Sequence, residues 1–200
     1  MSLTRIIGGR WKNKIIKTKY NTNKYNTNKQ IFRPTTSKIR SAIFNVLEHD
    51  MKFPPIVSSK FLDICSGPGS CGLEAASRGA EMVCFIDKSR ISIGLVQYNA
   101  EKLGMLKNKD YNVILGNITK ISNFYCKYNI IFIDPPYDEF ESIINISVEN
   151  LIKNSVFSDN SVFICETNNS SVNINNNKLL QVRCDNYGKT YIHYFLWQNL

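Results

Sequence analysis

Beginning at residue 60, short apolar runs alternate with segments whose apolar residues recur at helical spacing. A chain patterned in this way folds as a mainly parallel α/β sheet with both faces covered, because each crossover lays a helix on the sheet. The expected strands are 61–65, 82–86, 113–115, 130–134 and 162–166, and the expected helices lie near 72–78, 91–103 and 139–153. The pattern changes at the end. Apolar runs at 179–184 and 190–197 flank Asp185-Asn186-Tyr187-Gly188, a turn signal that predicts an antiparallel hairpin closing the sheet. A length of 200 residues suits one domain of this kind with a small addition.

The addition is basic. Residues 1–40 hold eleven of the 25 Lys and Arg and none of the 16 acids, so the net charge of +9 is concentrated in one segment. A positive segment on a near-neutral body attracts a polyanion, most simply nucleic acid; a solubilising tail is the alternative. Within it, RIIGGRWKNKIIK reads as two short strands near 3–7 and 13–17, joined at Gly8-Gly9. KYNTN at 19–23 recurs at 24–28 and is too polar to bury a core, which reads as a loop. Pro34 blocks helix before it, Thr36 or Ser37 can cap, and Ile39, Ile43, Val46 and Leu47 share one helical face before Pro54-Pro55 ends the module. The expected division is 1–58, a basic hairpin, loop and helix, and 59–200, the sheet domain.

No apolar run approaches the ~18 residues that cross a bilayer, and MSLTRIIGGR lacks the hydrophobic stretch of a signal peptide, so a cytoplasmic protein without membrane contact is expected. The six cysteines form no C-x-x-C pair and the two histidines, His49 and His193, are far apart; no metal site is expected. Cys65, Cys84 and Cys165 sit in apolar, strand-like runs, where a reduced cysteine acts as a small hydrophobe.

Chemistry enters at Asp63-Ile64-Cys65-Ser66-Gly67-Pro68-Gly69-Ser70-Cys71-Gly72, where Gly67, Gly69 and Gly72 satisfy G-x-G-x-x-G between a strand and a helix. Such a loop lets backbone approach a ligand, and an acid about 20 residues on, here Asp87, can accept both hydroxyls of a ribose. Charge then distinguishes the nucleosides. A carboxylate at the loop entrance, Asp63, repels a pyrophosphate and attracts an ammonium and a sulfonium, which favours S-adenosylmethionine over NAD. Backbone amides of the loop are the other way to satisfy Asp63.

The run Tyr128-Asn129-Ile130-Ile131-Phe132-Ile133-Asp134-Pro135-Pro136-Tyr137 reads as a buried strand that stops at two prolines. Carboxyl ends of strands border the crevice of an open α/β sheet, so Asp134 to Tyr137 should face the same crevice as the glycine loop. That placement suits methylation of an exocyclic amine, whose lone pair is delocalised into its base. Asp134 and the Pro135 carbonyl can accept the two N–H bonds and draw the lone pair outward, and Tyr137 can stack on the base. A proline strand terminator with a capping acid is the bland alternative.

The combination of RIIGGRWKNK, RPTTSKIRSAIFNVL, FLDICSGPGSCGLEAASRGA, FIDKSR and IIFIDPPY resembles the bacterial 16S rRNA (guanine-966-N2)-methyltransferase family over most of the chain. The resemblance implies a Rossmann-like class I methyltransferase fold, with a mostly parallel seven-stranded sheet and an antiparallel C-terminal hairpin. It also implies a monomeric enzyme that uses S-adenosylmethionine, leaves S-adenosylhomocysteine, and acts on 16S rRNA in the 30S subunit or its assembly intermediate. Carried over to these positions, Asp63, Ser66, Gly67, Pro68 and Gly69 line the methionine side, and Asp87 with Lys88 meets the ribose. Asn117 and Ile118 lie by the adenine, and Asp134, Pro135, Pro136 and Tyr137 form the catalytic motif. The expected RNA contacts are Arg10, Lys12, Lys14, Arg33, Thr35, Lys38 and Arg40, with the reservation that one of Arg33, Lys38 and Arg40 braces the helix instead. Two departures are visible: many relatives carry an acid where Ser37 stands, and an acid is common where Asn117 stands.

Three other functions fit parts of the pattern. A DNA adenine or cytosine amino methyltransferase normally needs a further recognition domain to flip and read its base, and the sixty residues before the sheet leave little room for one. A non-catalytic RNA-binding module would not need an intact Asp134 and glycine loop. An NAD oxidoreductase leaves the DPPY segment and the basic leader unexplained.

Overall fold

A computed structural model of the chain describes residues 3–19 and 36–199. Strands β1 (Leu3–Arg5) and β2 (Ile15–Lys17) pair antiparallel around a 3-10 turn at Gly9–Trp11. After α1 (Ser37–His49) come β3 (Lys60–Ile64), α2 (Ser70–Ser77), β4 (Met82–Asp87), α3 (Arg90–Lys102), β5 (Tyr111–Leu115) and β6 (Tyr128–Ile133). The chain ends with α4 (Phe140–Lys153), β7 (Phe157–Thr167), β8 (Leu179–Tyr187) and β9 (Thr190–Trp197). Residues 20–28 of the KYNTN repeat and the expected RNA contacts Arg33 and Thr35 lie outside the described residues.

The seven-stranded sheet has the order β5-β4-β3-β6-β7-β9-β8. β3 pairs in parallel with both β4 and β6, and β9 runs antiparallel between β7 and β8. The chain therefore builds outward from β3 to β5, then returns to the other side of β3. This reversal opens a crevice at the carboxyl ends of β3 and β6.

Successive residues of each central strand enter opposite cores. Phe61, Val83, Phe85, Ile130 and Phe132 pack with α1, α2 and α3, whereas Leu62, Ile64, Cys84, Ile86, Ile131 and Ile133 pack with α4. Continuous apolar strands follow from this double burial, as expected for parallel sheets covered on both sides. Every residue of α2 is buried, and its sequence SCGLEAAS is correspondingly rich in small side chains. A Cβ on Gly72 would meet the rings and methyls of Phe85 and Val83. Gly72→Ala is therefore expected to lower stability by about 1–3 kcal/mol, read from the denaturant midpoint. An unchanged midpoint would mean that the helix can lift off the sheet without cost.

The basic hairpin shares this core. Ile6 and Ile16 are buried among α1 and α2 residues. The expected strands at 3–7 and 13–17 are shorter in the structure because the connecting chain turns onto α2. The amides of Ile7 and Gly8 donate to Glu74 at 2.8 and 2.7 Å, and the Trp11 amide donates to the Ser77 hydroxyl at 3.0 Å. Helix α1 starts as its sequence suggests, with Thr36 Oγ1 accepting from the Ile39 amide. Its buried face is Ile39, Arg40, Ile43, Phe44 and Leu47, with Val46 only partly covered.

Arg40 requires a correction. It is 0% exposed, donates to the Arg5 carbonyl at 2.6 Å and to Thr4 at 3.3 Å, and pairs with Glu74 at 3.5 Å. It braces α1 against the hairpin and α2, and is not an RNA contact, because a phosphate has no access to it.

The last strands also run longer than expected. β7 begins at Phe157, ahead of the polar Asp159-Asn160, and its pairing with β6 shifts register between Tyr128 and Ile130. β8 continues to Tyr187, so the turn narrows to Gly188-Lys189 with Gly188 at φ +75°. No described helix is long and apolar enough to cross a membrane.

Candidate active site

A cavity of about 410 Å³ opens at the carboxyl ends of β3 to β7, within the usual size range of a small-molecule site. The sequence separates its walls by up to a hundred residues, but the topological reversal beside β3 joins them. Asp63, Ser66, Gly67 and Pro68 form one wall, Asp87 and Lys88 with Asn117 and Ile118 a second, and Asp134 to Tyr137 a third. All of these were singled out in the sequence. Gly69, singled out with them, does not line the cavity. It sits at the N-cap of α2 with φ +84°, where a Cβ would crowd Val96 and Phe85 at 3.0 and 3.1 Å, so its role is packing behind the loop.

The loop is held by acids from below. Asp63 is 2% exposed and its Oδ2 accepts from the Gly72 amide in the first turn of α2 at 2.8 Å. Burial, partly offset by that amide and reinforced by the nearby Asp87, pushes the Asp63 carboxyl up to about 8. Asp63 borders the cavity, and a backbone amide engages it, as the second sequence reading expects. Asp87 accepts from the Gly67 amide through Oδ2 and from the Ser89 amide through Oδ1, each at 2.8 Å. Those bonds use two of the roughly four lone-pair directions of a carboxylate. Burial raises the Asp87 carboxyl above its ordinary range as well. Gly67, at φ +52°, has no atom within 4 Å of where a Cβ would project, which leaves open space against the loop backbone.

The second wall is polar at its rim. Asn117 is exposed, and its Oδ1 accepts from the Thr119 amide and hydroxyl at 3.1 and 3.0 Å. Ile118 is buried, and its carbonyl accepts from Asn150 at 2.7 Å, which anchors this segment to α4. Lys88 pairs with Glu139 at 2.8 Å across the mouth.

On the third wall, the Asp134 amide donates to the Ile64 carbonyl at 3.3 Å, tying the end of β6 to β3. Pro135 is buried. The Pro136 carbonyl accepts the Glu139 amide at 2.9 Å and so begins α4. Tyr137 Oη lies 3.1 Å from Thr190 Oγ1 and 3.5 Å from Glu166 Oε1, which fixes its ring between β7 and β9.

Several lining residues escaped the sequence reading, among them Cys65, Ser89, Glu139 and Glu166. Glu166 had a usable signal, since it lies near the carboxyl end of a strand that borders the crevice. Cys65 is not inside a strand as expected: it follows β3 at φ +59° and faces the cavity. Its thiol is pushed upward by burial and by the charges of Asp87, Asp134 and Asp63, and all three acids line the same cavity. Cys84 and Cys165 are fully buried, as expected.

The expected RNA contacts form a separate group. Arg10, Lys12, Lys14 and Lys38 are exposed and do not line the cavity. Arg10 stacks over Trp11, its guanidinium carbon 3.9 Å from the ring centroid.

The pattern of a protein family described as Conserved hypothetical protein 95 matches residues 4–196. Ribosomal RNA small subunit methyltransferase D of Escherichia coli strain K12 is 31% identical over 149 residues, covering 73% of this chain and 67% of the relative. The protein of that name from Buchnera aphidicola subsp. Baizongia pistaciae is 30% identical over 201 residues, covering 98% of this chain and 92% of its own. A solved Escherichia coli structure described as a putative methyltransferase superposes with a TM-score of 0.81 over the whole of both chains, at 22% identity.

Proposed function

The chain belongs to the family described as Conserved hypothetical protein 95, and from that membership and the cavity we propose that it methylates ribosomal RNA of the small subunit, transferring the methyl of S-adenosylmethionine to the exocyclic N2 amine of a guanine in 16S rRNA. The observation that carries this reading is the meeting of Asp63, Asp87 and Asp134 around one cavity, with the DPPY segment forming its outer wall. The names of the relatives, rRNA small subunit methyltransferases, favour the same substrate class.

The residues fit the methyl donor. A buried acid at the foot of the loop complements a cation, and Gly67 leaves room beside the backbone. S-adenosylmethionine, when bound, supplies an electrophilic methyl on a positively charged sulfur. In this assignment Asp63 and the 66–68 loop hold the methionine part, Asp87 accepts from ribose hydroxyls with its remaining lone pairs, and Asn117 and Ile118 flank the adenine. Asp134 and the Pro135 carbonyl accept the N–H bonds of the guanine amine, which localises its lone pair toward the donor. Asp134 also accepts the proton that the nitrogen sheds once it has gained its new bond. Tyr137, fixed through its hydroxyl, presents a rigid ring beside the base. Positioning of this kind supplies much of the rate enhancement when reacting atoms are held within ~3–3.5 Å. Residues 59–200 carry this chemistry, and residues 1–58 bring Arg10, Lys12, Lys14 and Lys38 to the RNA.

Because Asp63 sits near pH 8 without a bound cation, it is mostly protonated at neutral pH and must ionise to pair with one. Binding of S-adenosylmethionine at pH 7 is expected to release close to one proton per site, measured by titration calorimetry in buffers of different ionisation enthalpy. No proton release would place the cation away from Asp63. The function itself is tested by offering tritiated S-adenosylmethionine with undermethylated 30S particles, naked 16S RNA and duplex DNA. Label in ribosomal RNA is expected; label in DNA alone would make the protein a DNA amino methyltransferase, and no label would leave a binding module.

A further inference from the structure

The cofactor loop and the basic hairpin lie on different parts of the chain, yet one buried side chain touches both. Asn99, near the C-terminal end of α3, is 3% exposed. Its Oδ1 accepts from the Lys17 amide at 3.0 Å, and its Nδ2 donates to the Lys17 carbonyl at 2.9 Å and to the Pro68 carbonyl at 3.1 Å. The amide thus pairs with Lys17, the last residue of β2, as a neighbouring strand would, and spends its other N–H on the loop. Beside it, the Lys17 ammonium lies 4.1 Å from the ring centroid of Tyr98, so β2 docks on α3 through backbone and side chain together.

Pro68 is a sensitive point at which to attach. It stands between Gly67 at φ +52° and Gly69 at φ +84°, and the Gly67 amide is the one held by Asp87. Glycine backbone is conformationally permissive, and the Pro68–Gly69 peptide is held at two points: its amide donates to the Ser66 carbonyl at 2.8 Å, and its carbonyl accepts from Asn99 at 3.1 Å. Asn99 therefore connects the end of β2 directly to that peptide.

We infer that Asn99 is a positioning residue that joins the hairpin to the methyl-donor loop, so that RNA and S-adenosylmethionine bind cooperatively. The inference rests on the function proposed above, in which the hairpin meets RNA. RNA that immobilises the hairpin lowers the cost of ordering the loop, and by reciprocity a bound donor strengthens RNA binding by the same factor. Asn99→Ala removes all three bonds. Asn99→Asp keeps an acceptor for the Lys17 amide but sets a carboxylate oxygen against the carbonyls of Lys17 and Pro68.

The test is equilibrium dialysis of tritiated S-adenosylhomocysteine against the full-length protein, alone and with undermethylated 30S particles. Wild type should bind it roughly fivefold or more tightly with particles present, and the ratio should fall toward one in Asn99→Ala and Asn99→Asp variants that still melt cooperatively. A ratio preserved in either folded variant, or a ratio of one in wild type, overturns the inference. Hydrogen exchange on the wild type provides a second reading that needs no variant. Particles added without any methyl donor should slow exchange in the 66–72 segment, and unaltered exchange there also overturns the coupling. Wild-type methyl transfer measured in parallel separates the two claims: transfer without coupling removes only this inference, whereas no transfer to any RNA removes the function and the coupling with it.

Discussion

Asp134→Ala is expected to lower methyl transfer by about 10³-fold or more while leaving S-adenosylmethionine affinity within about twofold of wild type. The asymmetry follows from which wall each residue occupies. The donor is assigned to the β3, β4 and β5 ends, through Asp63, the 66–68 loop, Asp87 and Asn117, whereas Asp134, which follows β6 on another wall of the cavity, is assigned to the amine. Asp134→Asn retains an acceptor without charge and should recover part of the lost rate. Single-turnover transfer and donor binding, measured on the same preparations, check both halves. Parallel loss of donor binding and transfer would make the Asp134 side chain a support for the loop and not a group that acts on the amine.

The largest effect on stability belongs to Glu74→Ala. The Glu74 carboxylate is fully buried, accepts from the Ile7 and Gly8 amides, pairs with Arg78 at 2.9 Å, and faces Arg40 at 3.5 Å. Truncating it removes the carboxylate that balances the buried Arg40 guanidinium and leaves the Ile7 and Gly8 amides without their acceptor. Breaking a buried pair in this way costs about 3–5 kcal/mol, or on the order of 10 °C in melting temperature for a chain of this size. Glu74→Gln should cost less, because its amide oxygen still accepts one of the two N–H groups. A melting temperature unchanged in Glu74→Ala would mean that hairpin docking rests on its other contacts, the burial of Ile6 and Ile16 and the bonds to Ser77 and Asn99.

The sheet was readable from sequence because burial on both faces demands continuous apolar strands, and the strand-to-loop junctions at Asp63 and Asp134 carry residue types with little other use there. Their convergence on one cavity follows from parallel topology, which places all carboxyl ends on the same side. Arg40 was misread for a different reason. Its charge suggested solvent and phosphate, yet it occupies the stripe of Ile39, Ile43, Phe44 and Leu47, where Glu74 in α2, the Arg5 carbonyl and Thr4 make that burial tolerable. The stripe was itself a signal: a cation within it needs a buried acid, and Glu74 sits in a helix otherwise built of small and apolar residues. Asn99 offered no such signal, because its partners Lys17 and Pro68 are 82 and 31 residues away and both are engaged through backbone atoms. The extra length of β7 was hidden by Asp159-Asn160, whose polarity resembles a loop; Asn160 has φ +56° close to the register shift.

The proposed reaction brings an exocyclic guanine amine to Asp134 beside a methyl donor anchored over Asp63. Its most direct test is mass spectrometry of nucleosides from 16S rRNA, taken from undermethylated 30S particles treated with the protein and S-adenosylmethionine. A single new N2-methylguanosine is predicted; a methyl group on an adenine or cytosine amine, on a ring nitrogen or on a ribose would contradict it.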